Sequence, residues 1–99
     1  MTQRLLMAEM TSPEFAQHVA GGAPVILPTG TTEQHGPHLP LGVDYLLPQA
    51  IALDVATQAG AIVAPPVTFG YKSMPRSGGG PFFAGTIGVD GQTLSHTIR

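Results

Sequence analysis

Four side chains that commonly bind divalent metals lie within twelve residues of the sequence: Glu33, His35, His38 and Asp44. Glu33 and His35 are two residues apart, so in an extended stretch both side chains point to the same side. Carboxylate and imidazole ligands without sulfur suit Zn²⁺ or Mn²⁺ at a hydrolytic site. The spacing indicates a metal site, and a solvated acid and histidine in a loop would give the same pattern.

Simpler roles stay open for several of these residues. Asp44 stands at the start of a predicted helix, where a carboxylate can cap the helix or stabilise its positive end. His38 is interpreted as a loop histidine that hydrogen-bonds to the backbone. His18 and His96 are assigned to helix surfaces.

A second candidate segment is the glycine-rich run from Ser77 to Gly80. Its backbone N–H groups can hold an anion, and a flexible turn explains the run equally well. It is not a phosphate-binding loop, because no Gly-Lys-Ser/Thr follows it. Lys72 and Arg76 flank the run; they can hold a carboxylate, although the pattern favours side chains that face water.

These residues must be positioned by elements near the start of the chain. Residues 4–8 predict a strand or an extended entry segment. Ser12-Pro13-Glu14 predicts a helix start with Ser12 as the cap, and Gly21-Gly22 predicts its end. The apolar run 24–28, bounded by prolines, predicts a buried strand of a parallel sheet.

The clearest pattern is the order strand, loop, helix, strand that follows. Residues 29–42 form a long loop of the kind that usually carries function. Residues 43–59 predict a helix from the apolar periodicity of Leu46, Leu47, Ala50, Ile51, Val55 and Ala59, and residues 61–67 predict a second strand. Together these elements make a βαβ unit with a parallel sheet. Residues 68–91 read as a loop, and 93–99 as a last helix capped by Asp90.

Composition excludes several classes of protein. Only 4 of 99 residues are Lys or Arg and the net charge is −2, which disfavours nucleic acid as a partner. With no cysteine, disulfide scaffolds and thiolate sites are excluded. No targeting or membrane segment is visible, so a cytoplasmic protein is expected. Charged residues make up only 10 %, which predicts an oligomer or a part of something larger.

Two stretches resemble the creatininase family of metal-dependent amidohydrolases. The first is TGTTEQHGPHLPLGVD, residues 29–44, and the second is FGYKSMPRSGGGPFFAGT, residues 69–86. The resemblance covers most of the chain. It implies a three-layer α/β/α fold with a mostly parallel sheet, of which residues 1–99 are the amino-terminal part of a single domain.

The resemblance also implies a chemistry. Glu33 matches a ligand of one metal, His35 a ligand of the other, and Asp44 the carboxylate that bridges both. Ser77 matches a position beside the substrate pocket, and the implied ions are two divalent metals, Zn²⁺ and Mn²⁺. The implied reaction is hydrolysis of a cyclic amide, creatinine to creatine, in an enzyme that is a homo-oligomer at full length. Another amide, such as a formamide, is the alternative within the family.

Two departures from the family pattern shape the expectation. Ala84 stands where the family usually has proline, which affects loop stiffness more than chemistry. Family members are also much longer, and their second half supplies further metal ligands, so the sequence is interpreted as cut. The expectation is that this chain alone binds metal weakly and is inactive; a non-catalytic binding or oligomerisation module is the competing hypothesis.

Overall fold

The computed structural model describes residues 4–73, 80 and 82–99. In chain order the elements are a 3₁₀ turn (Met7–Glu9), helix α1 (Ser12–Ala20), strand β1 (Val25–Ile26), helix α2 (Val43–Ala59), strand β2 (Ile62–Val63), strand β3 (Gly70–Tyr71), strand β4 (Gly88–Val89) and helix α3 (Gly91–Ile98). Helices alternate with parallel strand pairs, which confirms the predicted α/β class.

Helix α1 begins one residue earlier than its sequence signature indicated. Thr11, not Ser12, is the N-cap: its hydroxyl accepts a hydrogen bond from the Glu14 N–H, and the Thr11 N–H donates to the Glu14 carboxylate. The prediction of Ser12 as the cap is therefore wrong. This reciprocal pair is a capping box, which needs a carboxylate three residues after the cap, and Glu14 stands at that distance only from Thr11. The helix ends at Gly21, as predicted.

The predicted βαβ unit is present. Strands β1 and β2 pair in parallel, with Val25 opposite Ile62 and Ile26 opposite Val63. Leu6 also pairs with Val63 in parallel, so β2 lies between the amino-terminal segment and β1. The expected extension of residues 4–8 is confirmed only up to Leu6, because the 3₁₀ turn follows at once.

The core lies where α2 packs on β2. Its buried residues are Ala52, Ala56, Ala61, Ile62 and Val63. The small alanine side chains let the helix approach the strand closely, whereas Leu47 and Ile51 of the predicted apolar stripe remain 58 % and 56 % exposed. Helix α2 is apolar on most of its circumference, so periodicity alone did not reveal which face packs. The prediction that residues 24–28 are a buried strand is also wrong for Val25, which is 44 % exposed.

A second parallel pair lies within residues 68–91, which were predicted to be a loop. Gly70 pairs with Gly88, and Tyr71 pairs with Val89. Two-residue strands that contain glycine have no hydrophobic period, so the sequence pattern could not reveal them. Helix α3 follows at Gly91, two residues before the predicted start, and Asp90 is its N-cap as predicted.

The chain is extended in shape. Its radius of gyration is 16.0 Å, whereas a compact domain of about 100 residues has about 13 Å. An extended shape leaves apolar side chains on the surface, as for Leu47. None of the helices in the described ranges is long and apolar enough to cross a membrane.

Candidate metal centre

The loop that carries Glu33 and His35 starts as a continuation of the β1–β2 ladder. Thr29 pairs with Val67 in parallel, and the Gly30 N–H donates to the Val67 carbonyl at 2.9 Å. The loop therefore leaves the sheet at the carboxyl end of β1, where parallel α/β sheets place their ligands.

Further hydrogen bonds fix the loop around Glu33. Thr32 pairs with Ile87, and the Thr32 hydroxyl donates to the Thr68 carbonyl at 2.8 Å. The Glu33 N–H donates to the Leu41 carbonyl at 3.0 Å and closes the loop on itself. The Gln34 N–H donates to the Thr86 hydroxyl at 3.0 Å. These anchors join the loop to both strand pairs, so the backbone that presents Glu33 is held on two sides.

Asp44 enters the site from the first turn of α2. The N-cap of this helix is Gly42, without a side-chain cap, so the alternative role of Asp44 as the helix cap is excluded by the structure. Gly30 lies against the Asp44 backbone so closely that a β-carbon on Gly30 would overlap the Asp44 carbonyl. A glycine at position 30 is therefore what lets the loop and the helix start meet.

The three side chains converge. One ligand atom from each of Glu33, His35 and Asp44 lies within 4.8 Å of the other two. The His35 Nε2 is 3.3 Å from an Asp44 carboxylate oxygen, and these two side chains are 23 % and 42 % exposed. The structure thus brings together the three residues that the resemblance singled out, in a half-buried group open to solvent on one side.

The hydrogen bonding of His35 determines which ring nitrogen faces Asp44. Its Nδ1 is 2.8 Å from the Glu33 backbone carbonyl, which can only accept, so Nδ1 carries the proton. In the neutral ring, Nε2 then presents a lone pair towards the Asp44 carboxylate. Two acceptors facing each other are stable only with a shared proton or a metal ion between them, and a carbonyl that fixes the tautomer is typical of metal-binding histidines.

Other sequence candidates lie elsewhere. His38 is exposed and is not part of the cluster. His96 is exposed as predicted, and His18 is partly buried on α1. Ser77 and Arg76, together with most of the glycine-rich run, lie outside the described residues.

A cleft of about 140 Å³ adjoins the cluster. Glu33 forms part of its wall, together with Lys72 and Ser73, which follow β3. Sequence reasoning missed Thr86, which also lines this cleft, and missed the close approach of Gly30 to Asp44. The close approach of Gly30 could have been predicted from the run Thr-Gly-Thr-Thr at 29–32, because a lone glycine next to a strand often marks a place where another backbone segment comes close.

The fold and this cluster define an α/β protein with a carboxylate–imidazole site at the carboxyl end of a parallel pair. The donor set fits a divalent ion, because two carboxylates and a neutral imidazole are ligands that Zn²⁺ and Mn²⁺ accept. Comparison with known proteins gives the family: residues 8–99 match the creatininase (creatinine amidohydrolase) family, and the chain belongs to it.

Three curated relatives are 34–44 % identical to the chain over the aligned residues. A creatinine amidohydrolase of Pseudomonas putida is 44 % identical over all of this chain and 38 % of the relative. A mycofactocin precursor peptide peptidase of Mycobacterium ulcerans is 34 % identical over 90 % of this chain and 37 % of the relative. A 3-dehydro-scyllo-inosose hydrolase of Thermotoga maritima is 37 % identical over 63 % of this chain and 20 % of the relative. The chain thus spans well under half the length of these proteins.

Solved creatininase structures superpose closely on the chain. A glutamate-to-glutamine mutant creatininase of the Zn-Zn type aligns with a TM-score of 0.88 at 43 % identity, covering 98 % of this chain and 38 % of that one. The same kind of mutant complexed with creatine gives 0.88 at 44 % identity, with coverage of 97 % and 38 %. A structure described as creatininase Mn gives 0.86 at 43 % identity, again covering 97 % and 38 %. The α/β class and its partial extent in this chain are therefore established.

Proposed function

We propose that the chain supplies Glu33, His35 and Asp44 to the metal centre of a metal-dependent amidohydrolase. The observation that carries the proposal is the convergence of these side chains within 4.8 Å, with the His35 Nδ1 tied to the Glu33 carbonyl. In this proposal Glu33 and His35 each bind one of two divalent ions, and Asp44 bridges both. Zn²⁺ and Mn²⁺ are the proposed ions, supported by solved relatives of the Zn-Zn type and with Mn.

The residues of the chain have distinct tasks in this proposal. Divalent ions, when bound, supply Lewis acidity that polarises a carbonyl and makes water more acidic. Asp44 and Glu33 contribute negative charge that holds the cations. The Glu33 carbonyl orients the imidazole so that Nε2 points into the cluster. Ser77, as the family resemblance implies, is proposed to lie beside the substrate.

The proposed substrate is a cyclic amide, creatinine, opened by water to creatine. The 44 % identity with a creatinine amidohydrolase and a solved relative complexed with creatine support this choice. A second candidate is another amide, because relatives named for a peptide peptidase and for an inosose hydrolase match the same chain.

The setting of the enzyme is part of the proposal. We place residues 1–99 in the amino-terminal part of a single creatininase-like domain, in a cytoplasmic protein that forms a homo-oligomer at full length. Support comes from the extended shape and from exposed apolar residues such as Leu47 and Ile51, which need partners. Small molecules, not nucleic acid, are the expected partners, in keeping with four basic residues in 99.

A chimera tests the proposed function directly. This chain replaces the matching segment of the Pseudomonas putida creatinine amidohydrolase, and metal content and creatinine hydrolysis are measured. Metal-dependent hydrolysis that disappears in an Asp44→Asn chimera supports the proposal. A folded chimera that holds metal but leaves creatinine intact favours the second substrate candidate. A folded chimera without bound metal overturns the proposal.

A further inference from the structure

The peptide group between Glu33 and Gln34 is held at both of its ends. Its carbonyl oxygen, on Glu33, lies 2.8 Å from the His35 Nδ1, and its N–H, on Gln34, donates to the Thr86 hydroxyl at 3.0 Å. A peptide group is planar, so its C=O and its N–H keep a fixed mutual orientation and turn together. The hydrogen bond from Gln34 to Thr86 therefore fixes the direction in which the Glu33 carbonyl meets the imidazole.

Thr86 reaches this peptide group from a segment that packs along the site loop. The Ile87 N–H donates to the Thr32 carbonyl at 3.0 Å, and a β-carbon on Gly85 would overlap the Leu41 side chain. The residues on both sides of Thr86 are thus held against the loop by their backbone. Thr86 makes its own contact through a side-chain hydroxyl, so one substitution removes that contact and leaves the backbone contacts beside it in place.

The His35 ring has an acceptor facing each of its nitrogens. The Glu33 carbonyl faces Nδ1, and an Asp44 carboxylate oxygen is 3.3 Å from Nε2. A neutral imidazole carries one N–H proton, so these two acceptors compete for it. A metal ion binds at the ring nitrogen that has no proton, and a firmly held carbonyl at Nδ1 keeps Nε2 in that form. The position of the Glu33 carbonyl therefore decides whether Nε2 presents a lone pair.

We propose that Thr86 is a positioning residue for His35, acting through the peptide group between Glu33 and Gln34. Its hydroxyl holds the N–H of that group, the carbonyl of the same group holds the proton on Nδ1, and Nε2 is left with its lone pair for a cation. Hydrogen bonds in such a series polarise one another and make the imidazole a stronger ligand. The effect on metal binding rests on the proposed function, whereas the effect on the tautomer does not.

Removal of the Thr86 hydroxyl has a defined consequence for the ring. Thr86 and Gln34 are both half-buried, and their hydrogen bond spans 52 residues of sequence. Without the hydroxyl, the Gln34 N–H gains by turning towards another acceptor or water, because an unsatisfied amide costs more than a net hydrogen bond contributes. The same rotation turns the Glu33 carbonyl away from Nδ1. The proton then moves towards the Nε2 position, where Asp44 accepts it.

The test compares Thr86→Val, which keeps the shape of the side chain without the hydroxyl, with Thr86→Ser, which keeps the hydroxyl. Ring ¹⁵N chemical shifts of the labelled, metal-free chain give the His35 tautomer at alkaline pH, where histidine rings are neutral, and His35→Ala assigns the signals. We expect the Nδ1-protonated share to fall in Thr86→Val and to stay at the wild-type level in Thr86→Ser. Thr97→Val is the matched control, because the Thr97 hydroxyl donates to the Thr93 carbonyl within α3.

Zn²⁺ affinity is the second readout. We expect it to be about fivefold lower in Thr86→Val, the equivalent of one net hydrogen bond, and unchanged in Thr86→Ser and Thr97→Val. Circular dichroism checks that each variant is folded, and Thr86→Ala, which adds no new packing, replaces the valine variant should that one not fold.

The two readouts separate this role from the metal centre itself. A tautomer change in Thr86→Val, in a chain whose wild type binds no Zn²⁺, supports the positioning role and contradicts the proposed metal centre. A wild-type tautomer ratio in folded Thr86→Val, or an equal change in Thr86→Ser, overturns the positioning role even where Zn²⁺ binds.

Discussion

Gly30 and Asp44 meet backbone to backbone, so closely that no side chain fits between them. Asp44 lies in the first turn of α2, and Pro48, four residues later, has no N–H to donate to the Asp44 carbonyl. The loop segment that carries Gly30 packs against the first turn of α2. The contact sets the distance between the two chain segments that carry the proposed metal ligands.

Replacement of Gly30 by alanine is expected to destabilise the protein. The new β-carbon overlaps the Asp44 backbone, and overpacking against rigid backbone costs about 2–3 kcal/mol. Gly21→Ala is the matched control, because its β-carbon would lie 3.5 Å from the nearest atom, an ordinary contact. Urea denaturation followed by circular dichroism measures both. Equal free energies of unfolding for the two variants would show that the close approach of Gly30 is not required.

The capping box of α1 gives a second prediction. Thr11→Ala removes the hydroxyl that accepts the Glu14 N–H, and the expected loss is about 1 kcal/mol of unfolding free energy. Ser12→Ala is expected to change stability little, since Ser12 makes no cap. The same denaturation assay compares them. A larger loss for Ser12→Ala would place the cap where the sequence signature put it.

Helix α3 is expected to loosen in acid. The Thr93 backbone N–H donates to the Asp90 carboxylate at 2.7 Å, and this hydrogen bond lowers the pKa of Asp90 below its ordinary 3.8. Because the folded pKa is the lower one, the stabilisation is complete above pH 3.8 and is lost as pH falls through the folded pKa. Protection of the Thr93 amide against exchange is therefore expected to fall as pH drops below 3.8, beyond the intrinsic pH dependence of exchange.

An Asp90→Asn variant is the control for that measurement. Asparagine can still cap the helix but does not titrate, so the acid-dependent loss of protection at Thr93 is expected to disappear. Persistence of the same acid transition in Asp90→Asn would assign it to another group.

The strongest sequence signals predicted the βαβ unit and the site loop. Helix α2 occupies the predicted residues 43–59 because its apolar content is high and Gly60 ends it in the left-handed conformation, φ 68°. Glu33, His35 and Asp44 stand close together in sequence on a loop and a helix start, so their convergence needed only a short chain reversal. Local patterns of this kind are readable from a single sequence.

Features that depend on contacts between residues distant in sequence could not be predicted from the sequence. Strands β3 and β4 pair residues that are 18 positions apart, such as Gly70 with Gly88. Neither strand shows the alternation of apolar and polar residues that would predict a strand. The packing face of α2 is set by which side meets β2, and the alanines Ala52 and Ala56 face it. Thr86 contacts the loop at Gln34 across 52 residues. The β3–β4 pair, the packing face of α2 and the Thr86–Gln34 hydrogen bond all depend on contacts between residues distant in sequence, and local residue spacing does not predict such contacts.

The most direct test of the account is a calorimetric titration of the 99-residue chain with Zn²⁺, beside Glu33→Gln, His35→Ala and the remote control Glu9→Gln. We expect weak but saturable Zn²⁺ binding by the wild-type chain, an affinity at least about tenfold lower in the two site variants, and unchanged binding in Glu9→Gln. Circular dichroism confirms that each variant is folded. A folded wild-type chain without saturable Zn²⁺ binding, or site variants that bind as tightly as the wild type, would contradict the proposed metal centre.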